Sequence, residues 1–152
     1  MLSFTKEQIK QISDQLNCGF HAFYHKLSGE LIFVPDTDKH LDMETDAWQN
    51  ELDKLENNFL EYQQIEAMES RESFNVMVDF TENVSDKYLH KKLVEALNSK
   101  KPFRAFKFII DDLPERQNWF AFKDKRYIEW TEDQLKILEE LNRRKIPAVN
   151  TA

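Results

Sequence analysis

The chain has little glycine, a single cysteine and no long apolar run. Only Gly19 and Gly29 occur in its 152 residues. A dinucleotide-binding fingerprint needs three glycines, and a phosphate loop needs two ahead of a Lys-Ser/Thr pair, because the backbone must approach the phosphates with no Cβ in the way. Neither motif can be written with these two. A Gly-x-Ser-x-Gly elbow, a His-Glu-x-x-His helix and paired-cysteine zinc spacing are equally absent. Cys18 stands alone, so no internal disulfide forms, and the expectation is a quiet, partly buried thiol. The start, Met1-Leu2-Ser3-Phe4-Thr5-Lys6-Glu7, has no basic region followed by an apolar stretch, so no secretory signal is expected and a reducing cytoplasm is favoured. No apolar run exceeds four residues, as at Leu31 to Val34, which excludes a membrane-spanning helix.

The charge is acidic and unevenly placed. The net charge is −7, with −9 on residues 1–75 and +2 on residues 76–152. Sequence-independent nucleic-acid binding draws on counterion release at a concentrated basic face, and this balance disfavours it. A local phosphate site on the second half survives that objection. The length suits one core, expected as a single domain over residues 1–144 with a frayed tail, 145–152.

Local signals predict an α+β fold, a small antiparallel sheet with an N-terminal hairpin covered by several helices. Thr5 and Gln8 form a capping box, with Phe4 stapled against Ile9, so a helix is expected over about 5–18, stopped by Gly19. Trp130-Thr131-Glu132-Asp133-Gln134-Leu135 repeats the pattern, which predicts a second capped helix over about 131–144. Phe20 to Lys26 and Glu30 to Pro35 flank Leu27-Ser28-Gly29 as a hairpin. A third strand is expected over Phe59 to Ile65, after a stretch of helical spacing, Asp46 to Asn57, carrying Trp48, Leu52 and Leu55. The stripes Phe74, Met77, Val78, Thr81 and Leu89, Leu93, Ala96, Leu97, the second capped at Ser85, are expected to cover the sheet. Pro102 suits the first turn of a helix that ends before Pro114. Residues 115–129 read as helix, with a small hairpin as the alternative.

Eight of the nineteen aromatic residues fall between Lys100 and Trp130, beside the carboxylate-free block Lys100-Lys101-Pro102-Phe103-Arg104-Ala105-Phe106-Lys107. The ordered series Phe74-x-x-Met77-x-x-Phe80, Leu93-x-x-Ala96-Leu97, Pro102-Phe103-Arg104-x-Phe106-Lys107 and Trp119-x-x-Phe122 resembles a bacterial family known as uncharacterised family 0158. The resemblance covers about residues 59–130. It implies one compact α+β domain and brings no activity, cofactor or catalytic residue. The chain departs from the family pattern after Trp130, where Thr131 reads as a new helix start.

Arg104 and Lys107 lie three apart on one helical face, while Phe103, Phe106 and Ile110 occupy another. Two cations near a helix N-terminus, with Lys100 and Lys101 adding to the field, could hold a phosphate-bearing ligand. The blander reading pairs Arg104 with an acidic residue of the first half and Lys107 with Asp111. Trp119, Phe120, Phe122, Tyr127 and Trp130, with Arg116, Lys123 and Arg126, resemble the aromatic-basic mix of single-strand binders, but core packing is the favoured use of such rings. The acidic run Asp36, Asp38, Asp42, Glu44 and Asp46 fails as a calcium loop, because Leu41 stands where glycine is required and His40 where an oxygen ligand is. His21 and His25 share a strand face roughly 13 Å apart, too far to hold one ion. No metal and no cofactor is expected. The favoured function is a non-catalytic interaction module with an unidentified protein partner, through Arg104, Lys107, Lys101, Arg116 and Trp119. The alternatives are phosphate, nucleotide or RNA binding there, or an enzyme site assembled from separated residues such as Asp79, His90 and Arg104.

Overall fold

The structure, a computed structural model, describes residues 3–42 and 44–150. Among these, six helices and one three-stranded antiparallel sheet give the expected α+β class. The chain gathers into two compact units, one formed by Met1–Ala67 with Tyr127–Ala152 and the other by Met68–Arg126.

The first unit opens with helix α1 (Lys6–Asn17). Its capping box is complete, since Gln8 N–H donates to Thr5 Oγ1 at 3.1 Å and Thr5 N–H to Gln8 Oε1 at 2.9 Å. The helix ends as its glycine predicts. Gly19 takes φ +83° and donates its N–H to the Leu16 carbonyl, and a Cβ there would meet His40 Nε2 at 2.9 Å. Cys18 is exposed, which corrects the expectation of a partly buried thiol: it is the C-cap of α1, past the buried stripe that ends at Leu16.

Strands β1 (Phe20–His25) and β2 (Leu31–Pro35) form the hairpin, in register from Phe20 opposite Pro35 to Tyr24 opposite Leu31. His25 organises the turn. Its Nδ1 accepts the N–H groups of Leu27 and Ser28, while Gly29, at φ +77°, returns its N–H to the His25 carbonyl. Strand β3 (Tyr62–Ile65) pairs with β1 on the other side, giving the order β2-β1-β3. It begins three residues later than the expected stretch, because Phe59–Glu61 forms a 3-10 turn.

Side-chain alternation makes the sheet two-faced. Ile32, Val34 and Tyr62 receive Trp48, Leu52 and Leu55 from the 3-10 turn Asp46–Trp48 and helix α2 (Gln49–Asn57). Ala22, Tyr24 and Ile65 are buried on the opposite face, where α1 packs on β1.

A polar clamp ties α2 to the strands. Lys54 donates to Glu30 Oε2 and the Tyr62 hydroxyl to Glu30 Oε1, both at 2.7 Å. The Lys54 ammonium and the Tyr62 hydroxyl hold the Glu30 carboxyl below the usual range. Burial, then the Glu30 carboxylate, pushes the Tyr62 phenol up to about 12. Between the ordinary tyrosine value near 10 and that value, the unfolded chain releases a proton that the folded chain retains. The contribution of Tyr62 to stability is therefore complete below pH ~10 and lost as pH rises towards 12. A phenolate absorbance titration of the wild type minus Tyr62→Phe is expected to show its midpoint near pH 12. A midpoint near 10 would contradict the clamp.

The second unit contains helices α3 (Ser70–Glu82), α4 (Lys87–Leu97) and α5 (Pro102–Ile110). Their stripes close on one another. Val76, Met77, Phe80, Leu89, Leu93, Phe106, Ile110 and Trp119 make one buried cluster. The cap of α4 is Asp86, one residue beyond the expected Ser85, and its carboxylate accepts the N–H groups of Tyr88 and Leu89. Pro102 takes the first turn of α5 as expected.

Helix α6 (Arg116–Asn150) gives its first turns to the second unit and the remainder to the first. Residues 115–129 are thus not a hairpin, and Thr131 caps no new helix. The upstream chain is already helical there. Thr131 is fully buried in the helix interior, where its hydroxyl meets that of Ser13 at 2.8 Å, and the Trp130 indole donates to the Glu66 carbonyl. Within the tail expected to fray, residues 145–150 have helical backbone, and Thr151 and Ala152 lie outside the described residues.

Candidate functional site

The basic block builds one wall of a groove between α4 and α5. The last turn of α4 is closed by Asn98, whose amide donates to the Val94 carbonyl, and by Ser99, whose hydroxyl donates to the Ala96 carbonyl. The chain then enters α5 at Lys101, which supplies no side-chain cap. Residues 101, 104, 105 and 108 recur at helical spacing, so Lys101, Arg104, Ala105 and Phe108 share one face and line the groove. The opposite wall carries Lys92, Glu95 and Ala96 from α4, the groove measuring about 710 Å³. Lys92, Lys100, Lys101 and Arg104 face a single carboxylate, Glu95, over an apolar floor that includes Ile109.

The expected pairing of Arg104 and Lys107 into one site does not hold geometrically. Both are exposed, but Arg104 lines the groove and Lys107 does not. Neither makes an ion pair among the described residues. Asp111, the expected partner of Lys107, lies 3.9 Å from Arg116 instead. Arg116 also stacks over the Phe120 ring and stands outside the groove.

Trp119 is 9% exposed and packs edge-on against Phe80 and Phe106, so it offers no ring to a ligand. The aromatic that lines the groove is Phe108, 79% exposed on the Arg104 face. The spacing from Arg104 to Phe108 was the signal for it. Lys92 was harder to find, because it comes from a different helix and only tertiary packing brings it to the groove.

The separated-residue enzyme reading gains no constellation. Asp79 is held by Arg126 at 2.6 Å, His90 Nδ1 lies 2.9 Å from the Thr81 carbonyl, and neither lines the groove with Arg104. Among the described residues, no group of three or more His, Cys, Asp or Glu side chains is placed to hold a metal ion. Nor is any helix among them long and apolar enough to cross a membrane.

Comparison with known proteins agrees with the motif series. The profile of the Uncharacterised protein family (UPF0158) matches residues 4–147, and the chain belongs to that family. The match extends well beyond residues 59–130 and runs through Thr131, where the chain had been expected to depart from the family. The UPF0158 protein PA5073 of Pseudomonas aeruginosa is 34% identical over 119 residues, which cover 70% of this chain and 78% of that protein. No solved structure gives a significant match.

Proposed function

We propose that this UPF0158 member is a non-catalytic interaction module whose α4–α5 groove receives an acidic, amphipathic segment of a partner protein. The observation that carries this reading is the set of four cations around an apolar floor, with one carboxylate among them and Arg104 in no ion pair among the described residues. An unpaired guanidinium offers a planar fork to a carboxylate. Phe108 and Ile109 offer apolar surface that an ordered phosphate alone would leave uncovered. The overall charge of −7 further disfavours a nucleic-acid backbone as the occupant. The lone Cys18 supports a reducing compartment for the module.

The test is fluorescence anisotropy with a labelled amphipathic peptide of glutamate and leucine, beside a labelled oligouridylate. The peptide is expected to bind, and Lys101→Glu/Arg104→Glu to weaken it by at least about tenfold, since reversal puts like charges against the ligand. Both residues are exposed, so circular dichroism should be unchanged. Salt-sensitive binding of the oligouridylate without the peptide would replace the protein partner with a nucleic acid. Peptide affinity unaffected by the double substitution would remove the groove from the function.

A further inference from the structure

A second cavity, of about 540 Å³, lies within the first unit, in the size range of small-molecule sites. Its walls come from the approach to α1, the end of β1 and one face of α6. Phe4, Ile9 and Leu135 supply apolar surface, and the Phe4 ring stands edge-on to Tyr24 at 5.6 Å. Residues 132, 135, 136, 139, 142 and 143 recur at helical spacing, so α6 presents Glu132, Lys136, Glu139, Asn142 and Arg143 to the same space.

Charge accounting shows which of these groups are committed. Arg143 is paired with Glu139 at 3.3 Å and Glu140 at 3.7 Å. Lys26 and Lys136 make no ion pair among the described residues, leaving two cations against Glu132. Tyr24 is 5% exposed, and its oxygen accepts only a long hydrogen bond, 3.4 Å, from the Asn142 amide. Its O–H has no acceptor among the described residues, and Tyr24 lines the cavity. Burial, the leading cause, raises the phenol above its ordinary value and keeps it a donor.

We infer that this cavity binds a small monocarboxylate with an apolar body, its carboxylate received by the Tyr24 O–H and the Lys26 and Lys136 ammonium groups. The body lies along Phe4, Ile9 and Leu135. An acid satisfies the uncommitted phenol and the excess of one positive charge together. A neutral alcohol answers only the first, and an amine repeats the charge already present.

The experiment is a titration of the full chain with octanoate, octanol and octylamine, below the concentrations at which they self-associate, followed by NMR. Octanoate is expected to saturate at one site, moving the Ile9 and Leu135 methyl signals, and to bind at least about tenfold tighter than octylamine. Tyr24→Phe keeps the ring and removes only the hydroxyl, and should weaken octanoate by about five- to tenfold. Leu135→Trp, which fills the cavity, should abolish binding. If that variant does not fold, the Tyr24→Phe comparison decides alone. Absence of saturable octanoate binding, octylamine binding as tightly as octanoate, or wild-type octanoate affinity in Tyr24→Phe would each overturn the inference.

Discussion

Phe106→Ala is expected to destabilise the protein by about 3–5 kcal/mol, and Phe103→Ala, three residues away on the same helix, by only about 1 kcal/mol. Phe106 is 1% exposed, with its ring centroid 4.8 Å from that of Trp119 and 6.3 Å from that of Phe80. Truncating it removes a fully buried ring and leaves a cavity that three helices cannot all close upon. Phe103 is 44% exposed and touches one ring, Phe74, at 6.4 Å. Both changes place the same good helix former in α5, so helix propensity cancels in the comparison. Urea unfolding followed by circular dichroism measures the difference. Equal losses would mean that the aromatic face of α5 is a uniform stripe and that the second core is not centred on Phe106.

The features readable from sequence are those that short-range chemistry decides. The Thr5 box, the Gly19 stop, the Gly29 hairpin and the Pro102 start each depend on residues within a few positions, and each stands where expected. The partners of the stripes were less accessible. Trp48, Leu52 and Leu55 were read correctly as helical, yet nothing local says that they fold onto Ile32, Val34 and Tyr62. The candidate site shows the same division. Periodicity set Phe103, Phe106 and Ile110 apart from Arg104, and the structure buries Phe106 and Ile110 but leaves Phe103, in the first turn of α5, 44% exposed; the burial of Trp119 depends on Phe80, thirty-nine positions earlier. Lys107 was grouped with Arg104 because i,i+3 neighbours share a broad helical face. A groove selects a narrower arc, and rotation along α5 leaves Lys107 outside it.

Thr131 gives the sharpest discrimination between a local signal and the fold that overrides it. At an N-cap, Asp would replace Thr at little or no cost, while Val would cost about 0.5–2 kcal/mol by removing the capping oxygen. Inside α6 the order reverses. Thr131 is 0% exposed, and its one described hydrogen-bond partner is the hydroxyl of Ser13, which also bonds to the Ile9 carbonyl. Val keeps the shape and leaves Ser13 satisfied by Ile9, so Thr131→Val should cost about 1 kcal/mol or less. Asp would place a carboxylate in a site with no cation partner among the described residues and one shared hydroxyl donor. A loss of at least about 3 kcal/mol is therefore expected for Thr131→Asp. Urea midpoints of the two variants settle the matter by their order alone. If Asp is the milder change, α6 is broken at Trp130 and a new helix begins where the sequence pattern placed it; if Val is milder, the continuous helix has absorbed a capping sequence into its buried face.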